Sequence, residues 1–407
     1  MSEISITGIG VISSLGIGRQ AFWEGCCRAQ SGVRPIRTFD TSSYRSNVAA
    51  SVADFKPAEF MPPMVYRRMS AVSRMAVAAS IEAVSDSGLD LKALDRQRVA
   101  IFMGTAYGSS SHVDQFYLSL LNEGPRGAQP LLFPETVPNA PASHIAMFHQ
   151  IQGPNATFCQ NDISAEVAMI YATSLLALDV VDVALVGGAE ELSEILFACH
   201  DAVGGLNPIQ AKVPEEVYPQ PGGGIILGEG AAVLVMEKRT SAGQRGANVY
   251  GNLASDASTG DLAVMGHYAK SGDPVLKTCR QAMAQAGIKP DDIDHISASA
   301  NYAKELDAME SEQLQRLFQD QRGALKVTPL KYLTGDFGAA GATRAAAVLL
   351  SLYHQISLPA VTLSALRSNQ PDPLKWMPAQ SQKLTNALMT STTFGGGSAS
   401  LIFTSAK

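Results

Sequence analysis

The segment most informative about the architecture of this chain reads Gly153-Pro-Asn-Ala-Thr-Phe-Cys-Gln-Asn-Asp162-Ile-Ser-Ala-Glu-Val-Ala-Met169. Its pattern predicts a short strand, then a polar turn, then a long apolar helix. A residue in such a turn lies at a helix N-terminus, where the dipole and the free N–H groups stabilise negative charge. Enzymes activate thiols at positions of this kind, but here the position is occupied by Asp162.

On both sides of this segment, short apolar strands alternate with long apolar helices, which is the pattern of a layered α/β fold. We predict strands at Ile4–Ile12, Val99–Met103, Val183–Val186, Ala232–Met236, His295–Ala298, Ala387–Thr392 and Ser400–Thr404. We predict helices at Ser73–Ser87, Ile163–Leu178, Val275–Ala286 and Ala339–Leu352. The last three contain few charges, and such helices are usually buried on most sides.

The chain also contains a weak internal repeat. The Gly-rich turn and apolar strand at Gly228–Met236 recur at Gly395–Phe403. A helix that ends at Gly88 precedes one strand, and a helix that ends at Gly287 precedes another. The repeat predicts two similar halves, residues 1–245 and 246–407, with an insertion of the first half at about 107–152, where Pro, Ser and Gly are frequent.

Composition limits the classes of function. The 407 residues are 46% hydrophobic and 17% charged, so part of the surface is expected to be buried against another subunit. The net charge is −6 and no long Lys/Arg run occurs, which argues against nucleic-acid binding. Five irregularly spaced cysteines predict neither a disulfide framework nor a zinc site.

Targeting and cofactor motifs are missing from the sequence as well. No signal-peptide or membrane-span pattern is found, so we expect a cytoplasmic protein without membrane association. The early Gly8-Ile-Gly10 lacks the third glycine and the acidic residue of a dinucleotide loop. We therefore expect no cofactor and no metal.

Five motifs that occur in a fixed order show a resemblance to a known family. They are Thr7-Gly-Ile-Gly-Val-Ile-Ser-Ser-Leu-Gly16, Gly187-Gly-Ala-Glu190, Leu227-Gly-Glu-Gly-Ala-Ala-Val-Leu-Val-Met-Glu237, Lys331 to Gly341, and Phe394-Gly-Gly-Gly397 with its following strand. On these motifs the chain resembles the β-ketoacyl synthases, or condensing enzymes, over nearly its whole length. The resemblance implies a thiolase fold, which is a five-layered αβαβα duplication that usually forms dimers.

The same resemblance implies a catalytic Cys and two His, and this chain lacks all three. The Cys position holds Asp162, the first His position is Ser299 in Ser299-Ala-Asn301, and the second is Asp336. A carboxylate is a poor acyl acceptor for this task, because acyl-Asp would be a labile anhydride. An ionised Asp336 would repel a developing enolate, and losing even one stabilising donor typically costs ~10²–10³ in rate.

Structural roles account for the residues that remain at these positions. Asp162 is expected to cap the apolar helix, which would stabilise it by roughly 1 kcal/mol. Lys331 and Glu310 match residues that orient the family's catalytic site, and we predict that they form a buried ion pair. Cys159 is the rival nucleophile; it lies three residues before Asp162 on the predicted strand, and we expect it to pack in the core.

In the family, the matching insertion forms much of the dimer interface and reaches the partner's acyl pocket. Either of two roles is open for its large side chains: limiting the depth of a shared tunnel, or packing in the interface. The side chains concerned are Tyr107, Phe116, Tyr117, Leu132, Phe133 and Thr136.

A family member without these catalytic residues resembles the chain-length factor, or ketosynthase β subunit, of type II polyketide synthases. The resemblance implies a heterodimer with an active ketosynthase subunit, an acyl carrier protein as a further partner, and a polyketide acyl chain in the tunnel. Chain-length factors commonly carry Gln where this chain has Asp162. Two alternatives stay open: an acyltransferase that uses Cys159, and an acyl-binding regulatory homodimer.

Overall fold

The computed structural model describes residues 3–264, 266–320, 325–367 and 375–406, and it has a mixed α/β fold. The strands are Ile4–Ser13 (β1), Gly16–Ile17 (β2), Arg34–Pro35 (β3), Val48–Ala49 (β4), Val99–Gly104 (β5), Asn155–Phe158 (β6), Val183–Glu190 (β7), Gly230–Lys238 (β8), Gly251–Thr259 (β9), His295–Ser297 (β10), Lys326–Val327 (β11), Ile356–Ser357 (β12), Val361–Thr362 (β13), Gln380–Ser381 (β14), Asn386–Thr392 (β15) and Ser398–Thr404 (β16). The helices are Arg19–Cys27 (α1), Pro63–Tyr66 (α2), Ala71–Ser87 (α3), Ser110–Glu123 (α4), Ala140–His149 (α5), Ser164–Ala177 (α6), Glu194–Ala202 (α7), Arg239–Gln244 (α8), Asp273–Ala286 (α9), Lys304–Leu317 (α10), Lys331–Thr334 (α11), Ala340–His354 (α12) and Leu363–Arg367 (α13).

The main sheet shows the predicted duplication in its strand order, which is β10-β15-β16-β9-β1-β8-β7-β5-β6. From the centre outward, the first half runs β1-β8-β7-β5-β6 and the second runs β9-β16-β15-β10. An isolated parallel bridge from Ser297 to Thr328 continues the second half toward β11. The halves meet where β1 pairs antiparallel with β9 through residues 4–6 and 251–253.

Three layers of helices alternate with the two half-sheets, which makes the five layers that the resemblance implied. Helix α3 packs against β1, β7 and β8 on one outer side, and α9 packs against β9, β15 and β16 on the other. Helices α6 and α12 contact each other and strands of both halves, so they form the central layer. The chain therefore has the αβαβα arrangement of the thiolase fold.

Residue types explain why α12 occupies the centre. Every residue from Ala340 to Leu352 is buried, and most of them are Ala or Leu. Small side chains let the backbone of a helix approach its neighbours on all sides, and a helix that is apolar all round is stable only when fully enclosed. The paired outer helices α3 and α9 end at the predicted Gly88 and Gly287, whose φ values of 66° and 69° suit glycine.

Most predicted elements are confirmed, with ends that differ by a few residues. The sequence prediction missed β9, where polar residues alternate with small ones, and it missed the charged helix α10. The buried face of β9 is mostly small and polar residues, and α10 buries Asp307 and Glu310 beside its leucines, so the apolar pattern of both elements is weak. The described residues include no helix that is long and apolar enough to cross a lipid bilayer.

The predicted division near residue 245 falls between the end of β8 at Lys238 and the start of β9 at Gly251, and it stays a prediction. Residues 265, 321–324, 368–374 and 407 of the predicted second half lie outside the described residues. The predicted insertion contains α4, α5 and two short 3-10 turns.

Candidate functional site

A cavity of about 660 Å³ opens where the two central helices begin. Its lining includes Asp162, which lies two residues before the start of α6, and Asp336, which lies in the loop before α12. The two positions that the resemblance assigned to the nucleophile and to the second His are therefore brought together in one site. Both residues are at least nine-tenths buried.

Asp336 has a partner for each of its carboxylate oxygens. Its Oδ1 lies 2.7 Å from Lys331 Nζ in an ion pair, and its Oδ2 accepts a 2.5 Å hydrogen bond from Asn301 Nδ2. The Asp336 backbone is also fixed, because its N–H donates to Ile226 and its carbonyl accepts from Gly228. This carboxylate is thus held rigidly as a charge that is neutralised by a buried cation.

Asp162 lies in the 3-10 turn Asn161–Ile163 and makes no capping hydrogen bond to α6. The prediction that Asp162 caps the helix is wrong, because the chain enters α6 through this turn and Ile163 occupies the cap position. Its Oδ2 is buried and has no hydrogen-bond partner among the described residues. Burial, followed by the negative charge of Asp336, raises the pKa of Asp162 to about 7, although Lys331 and Thr393 act in the opposite direction.

The predicted ion pair between Lys331 and Glu310 is also wrong. Glu310 accepts hydrogen bonds from the backbone N–H groups of Ser299 and Ala300, at 2.7 and 2.9 Å, and from the Thr390 hydroxyl. Glu310 therefore anchors the loop after β10, and Lys331 is left to pair with Asp336. Lys331 begins α11 and Asp336 follows the end of that short helix by two residues, whereas Glu310 lies in α10, so the short separation of Lys331 and Asp336 was a signal that sequence reasoning did not use.

Ser299, at the position of the first His, is fully buried and lies outside the cavity lining that the structure describes. Its hydroxyl is engaged with the backbone of Thr392, donating to the carbonyl at 3.4 Å and accepting from the N–H at 3.1 Å. Asn301, two residues later, reaches the site instead and donates to both Asp336 and the hydroxyl of Tyr268. Sequence reasoning named Asn301 as part of the changed element, but it did not assign this contact.

Behind the cavity, Glu166 and Arg344 form a second buried charge pair that sequence reasoning missed. Glu166 Oε1 lies 3.9 Å from Arg344 Nη1, and both side chains are almost completely buried. Arg344 also donates to Ser391 and to the carbonyls of Ser297 and Thr390. The sequence carried a usable signal, because each is an isolated charge in an otherwise apolar, Ala-rich helix start.

Family comparisons agree with this fold. Residues 1–242 match the Beta-ketoacyl synthase, N-terminal domain family, and residues 250–364 match the Beta-ketoacyl synthase, C-terminal domain family. The chain belongs to the β-ketoacyl synthase family. The chain-length factors that it resembles are a subgroup of that family.

Individual relatives match this ketosynthase-family chain from end to end. The putative polyketide beta-ketoacyl synthase 1 of Streptomyces halstedii is 30% identical over 99% of this chain and 98% of the relative. The 3-oxoacyl-(acyl-carrier-protein) synthase 2 of Coxiella burnetii is 26% identical over 98% of each. The solved structure of the ishigamide ketosynthase/chain length factor superposes with a TM-score of 0.89, at 27% identity and full coverage of both chains.

Cys159, the rival nucleophile, is exposed and directly follows β6, so the prediction that it packs in the core is wrong. The strand ends at Phe158, and the side chains of this edge strand are only partly covered within one chain. Desolvation raises the pKa of the Cys159 thiol, which disfavours the thiolate. The cysteine in the described lining of the cavity is Cys199.

The six insertion side chains occupy two places in this ketosynthase-family structure. Tyr107 lines the cavity, and burial together with the charge of Asp162 raises its pKa to about 12. Glu190 holds this loop by accepting hydrogen bonds from the N–H groups of Ala106 and Tyr107. The others lie on the insertion outside the described cavity lining; they are Phe116, Tyr117, Leu132, Phe133 and Thr136.

Proposed function

We propose that this chain is the non-catalytic, chain-length-factor-like subunit of a heterodimeric type II polyketide ketosynthase. In this assignment the partner subunit performs the decarboxylative Claisen condensation, and this chain shapes the tunnel that holds the growing acyl chain. The observation that carries the proposal is the carboxylate floor of the cavity. Asp162 and Asp336 both line this cavity, and the resemblance assigns their positions to a thiol and an imidazole.

The chemistry of this floor opposes each step of condensation. Asp162 cannot replace a thiolate, because attack by a carboxylate on a thioester is unfavourable and its product is an anhydride. Asp336 places a buried negative charge where an enolate would need a hydrogen-bond donor. Lys331 does not substitute for that donor, since its charge is already taken up by Asp336 at 2.7 Å.

An exposed apolar surface on the insertion supports the presence of a partner subunit. We call this surface the insertion face and define it by six side chains with exposed fractions of 42% to 78%: Tyr117, Leu118, Leu121, Leu131, Phe133 and Val137. The two segments that form it are in contact, because the Phe116 and Phe133 rings lie 5.6 Å apart. Contiguous apolar patches of this kind are usually covered in an assembly.

Further support comes from the relative whose structure is described as a ketosynthase/chain length factor. By analogy with it, the insertion face would contact an active ketosynthase, and an acyl carrier protein would deliver the acyl chain to that partner. Tyr107 and Phe116 would then act near the tunnel, one from the cavity and one from the insertion. The other four insertion side chains, Tyr117, Leu132, Phe133 and Thr136, would complete its wall or the interface.

The deciding experiment supplies this chain with and without a ketosynthase that carries an intact Cys-His-His site. Both preparations receive an acyl thioester and malonyl-loaded acyl carrier protein, and the products are measured by mass spectrometry. We expect extension only in the co-purified complex, and we expect it to disappear when the partner's Cys is replaced by Ala. Chain extension by the purified chain alone would refute the proposal.

The same preparations test the two alternatives. An acyl adduct on Cys159 after incubation with acyl-carrier protein would favour a relocated nucleophile, and its absence would count against that enzyme. A stable homodimer of the chain alone, seen by light scattering, would favour a regulatory homodimer. Aggregation that a co-expressed ketosynthase prevents would favour the heterodimer.

A further inference from the structure

The buried floor of the cavity holds two carboxyl groups, Asp162 and Asp336, and one cation, Lys331, whose charge acts on both. The neighbouring cations are already engaged, since Lys331 pairs with Asp336 and Arg344 lies beside Glu166. Asp162 is 8% exposed and its Oδ2 has no hydrogen-bond partner within the described part of the chain. An ionised carboxyl with an unsatisfied buried oxygen is costly, so a cation beside the part of Asp162 that lines the cavity lowers that cost.

The walls of the cavity are apolar or small. They include Val203, Ile225, Leu227, Phe337 and Phe394. At the exposed rim, Lys304 and Glu305 carry opposite charges that offset each other. A volume of about 660 Å³ is in the range of cavities that bind small organic ligands.

The lysine in the described lining, Lys304, is exposed at the rim beside Glu305, as is His267, whose ring lies 3.7 Å from the Glu305 carboxylate. His200 lines the cavity, but burial lowers its pKa, so the ring is neutral at pH 7 despite the opposing influence of Asp336. With Asp162, Asp336 and Lys331 all ionised, the floor carries one net negative charge. A ligand with one positive charge would neutralise it, whereas a carboxylate would be repelled by it.

We propose that this cavity binds an amphipathic primary ammonium, with its –NH₃⁺ group on Asp162 and its alkyl tail along the apolar walls, and that it rejects the matching carboxylate. The ammonium supplies three donors, and Asp162 lines the cavity where they would arrive. The malonyl groups that extend acyl chains are themselves carboxylates. The same charge therefore keeps such groups away from this subunit's cavity.

Binding of an ammonium requires the ionised form of Asp162, so affinity depends on pH. The charges that act on Asp162 come from the carboxyls of Asp336 and Glu166, the cations of Lys331 and Arg344, and the phenols of Tyr107 and Tyr268. Burial raises the pKa of both phenols above its ordinary value, so they stay neutral. Below the pKa of Asp162, which is about 7, each pH unit weakens ammonium binding about tenfold.

Titration calorimetry on the full chain, alone or with its partner ketosynthase, tests the proposal with octylammonium and octanoate as probes. At pH 8 we expect octylammonium to bind at least tenfold more tightly than octanoate. At pH 5.5 its affinity should fall roughly 30-fold, with proton release measurable in buffers of different ionisation enthalpy. These comparisons need no variant, so they do not depend on the folding of a mutant.

Two variants then locate the site. Asp162→Asn should weaken octylammonium binding at least tenfold, while Asp291→Asn, which changes an exposed carboxyl outside the described cavity lining, should leave it unchanged. Equal binding of octanoate and octylammonium, or unchanged binding by the Asp162→Asn variant, would overturn the proposal. Neither result bears on the heterodimer, because condensation by the complex is measured separately.

Discussion

The starts of α6 and α12 occupy equivalent places in the two halves of the molecule, and each carries an aspartate in the same cavity. Asp336, before α12, has a cation on one oxygen and an amide on the other. Asp162, before α6, leaves one buried oxygen without a partner. One aspartate therefore belongs to a buried ion pair, whereas the other has a buried oxygen without a hydrogen-bond partner among the described residues.

This difference shows that the same residue type can have different neighbours and different roles at two places in one cavity. The outcome depends on which groups the surrounding loops already present. The first residue of helix α11, Lys331, pairs with Asp336, whereas the 3-10 turn before α6 supplies no cation to Asp162. The predictions below test that asymmetry, and they run from the largest expected effect to the smallest.

Lys331→Met should destabilise the protein by about 3 kcal/mol, because it leaves Asp336 buried without its cation. The free energy of unfolding from denaturant titration measures this loss. The double variant Lys331→Met/Asp336→Leu should recover most of it, since both charges are then removed together. If Lys331→Met were as stable as the wild type, Asp336 would not depend on Lys331 to neutralise its charge, and the contrast with Asp162 would be lost.

Asp162→Asn should act in the opposite direction and stabilise the protein by about 2 kcal/mol at pH 8. The pKa of Asp162 rises from 3.8 to about 7 on folding, so the folded state favours the protonated form. The resulting stabilisation is complete below pH 3.8 and is lost as the pH rises through 7. The gain from Asn should therefore shrink toward zero as the pH approaches 4.

Thermal and denaturant unfolding of both proteins across pH 4 to 8 would measure that difference. Glu190 and Asp307 also have pKa values raised to about 7 by burial, but they are present in both proteins and cancel in the comparison. Asp291→Asn, at an exposed carboxyl, is the matched control and should show no such pH-dependent gain. A destabilised Asp162→Asn protein would mean that neighbouring groups stabilise the negative charge of the Asp162 carboxylate.

Tyr107→Ala and Phe116→Ala should each lengthen the polyketide made by the complex with the partner ketosynthase. The physical reason is removal of ring volume, from the cavity in one case and from the insertion in the other. Product masses after a fixed reaction time report the change, which we expect to be about one or two extension units. Unchanged lengths in both variants would exclude these residues from the tunnel.

Asp162→Ala should change the condensation rate of the complex by less than about twofold, because the reaction is assigned to the partner's Cys-His-His site. The rate is followed with the partner supplied in excess, and the co-purified fraction confirms that the variant still assembles. An abolished reaction in a folded complex would show that Asp162 takes part in chemistry. The two aspartates would then differ in their part in catalysis as well as in how their charges are neutralised.

The sequence was informative about backbone and about identity, and less so about contacts between side chains. It predicted most strands and helices of the main layers but missed β9 and α10, and the resemblance implied the five-layered fold and the three changed positions. It was wrong about the cap by Asp162, the Lys331–Glu310 ion pair and the buried Cys159. Each error concerned where a side chain points and what it contacts, which hydropathy patterns and motif spacing do not specify.

By itself, the sequence predicted most of the elements and has Asp162, Ser299 and Asp336 at the positions to which the resemblance assigns a thiol and two imidazoles, because hydropathy patterns and motif spacing are local properties. Only the tertiary structure decided that Lys331 pairs with Asp336 and not with Glu310, and that one buried oxygen of Asp162 lacks a hydrogen-bond partner among the described residues. Both outcomes depend on distances of a few ångströms between side chains, and the low dielectric of the interior makes those distances decisive.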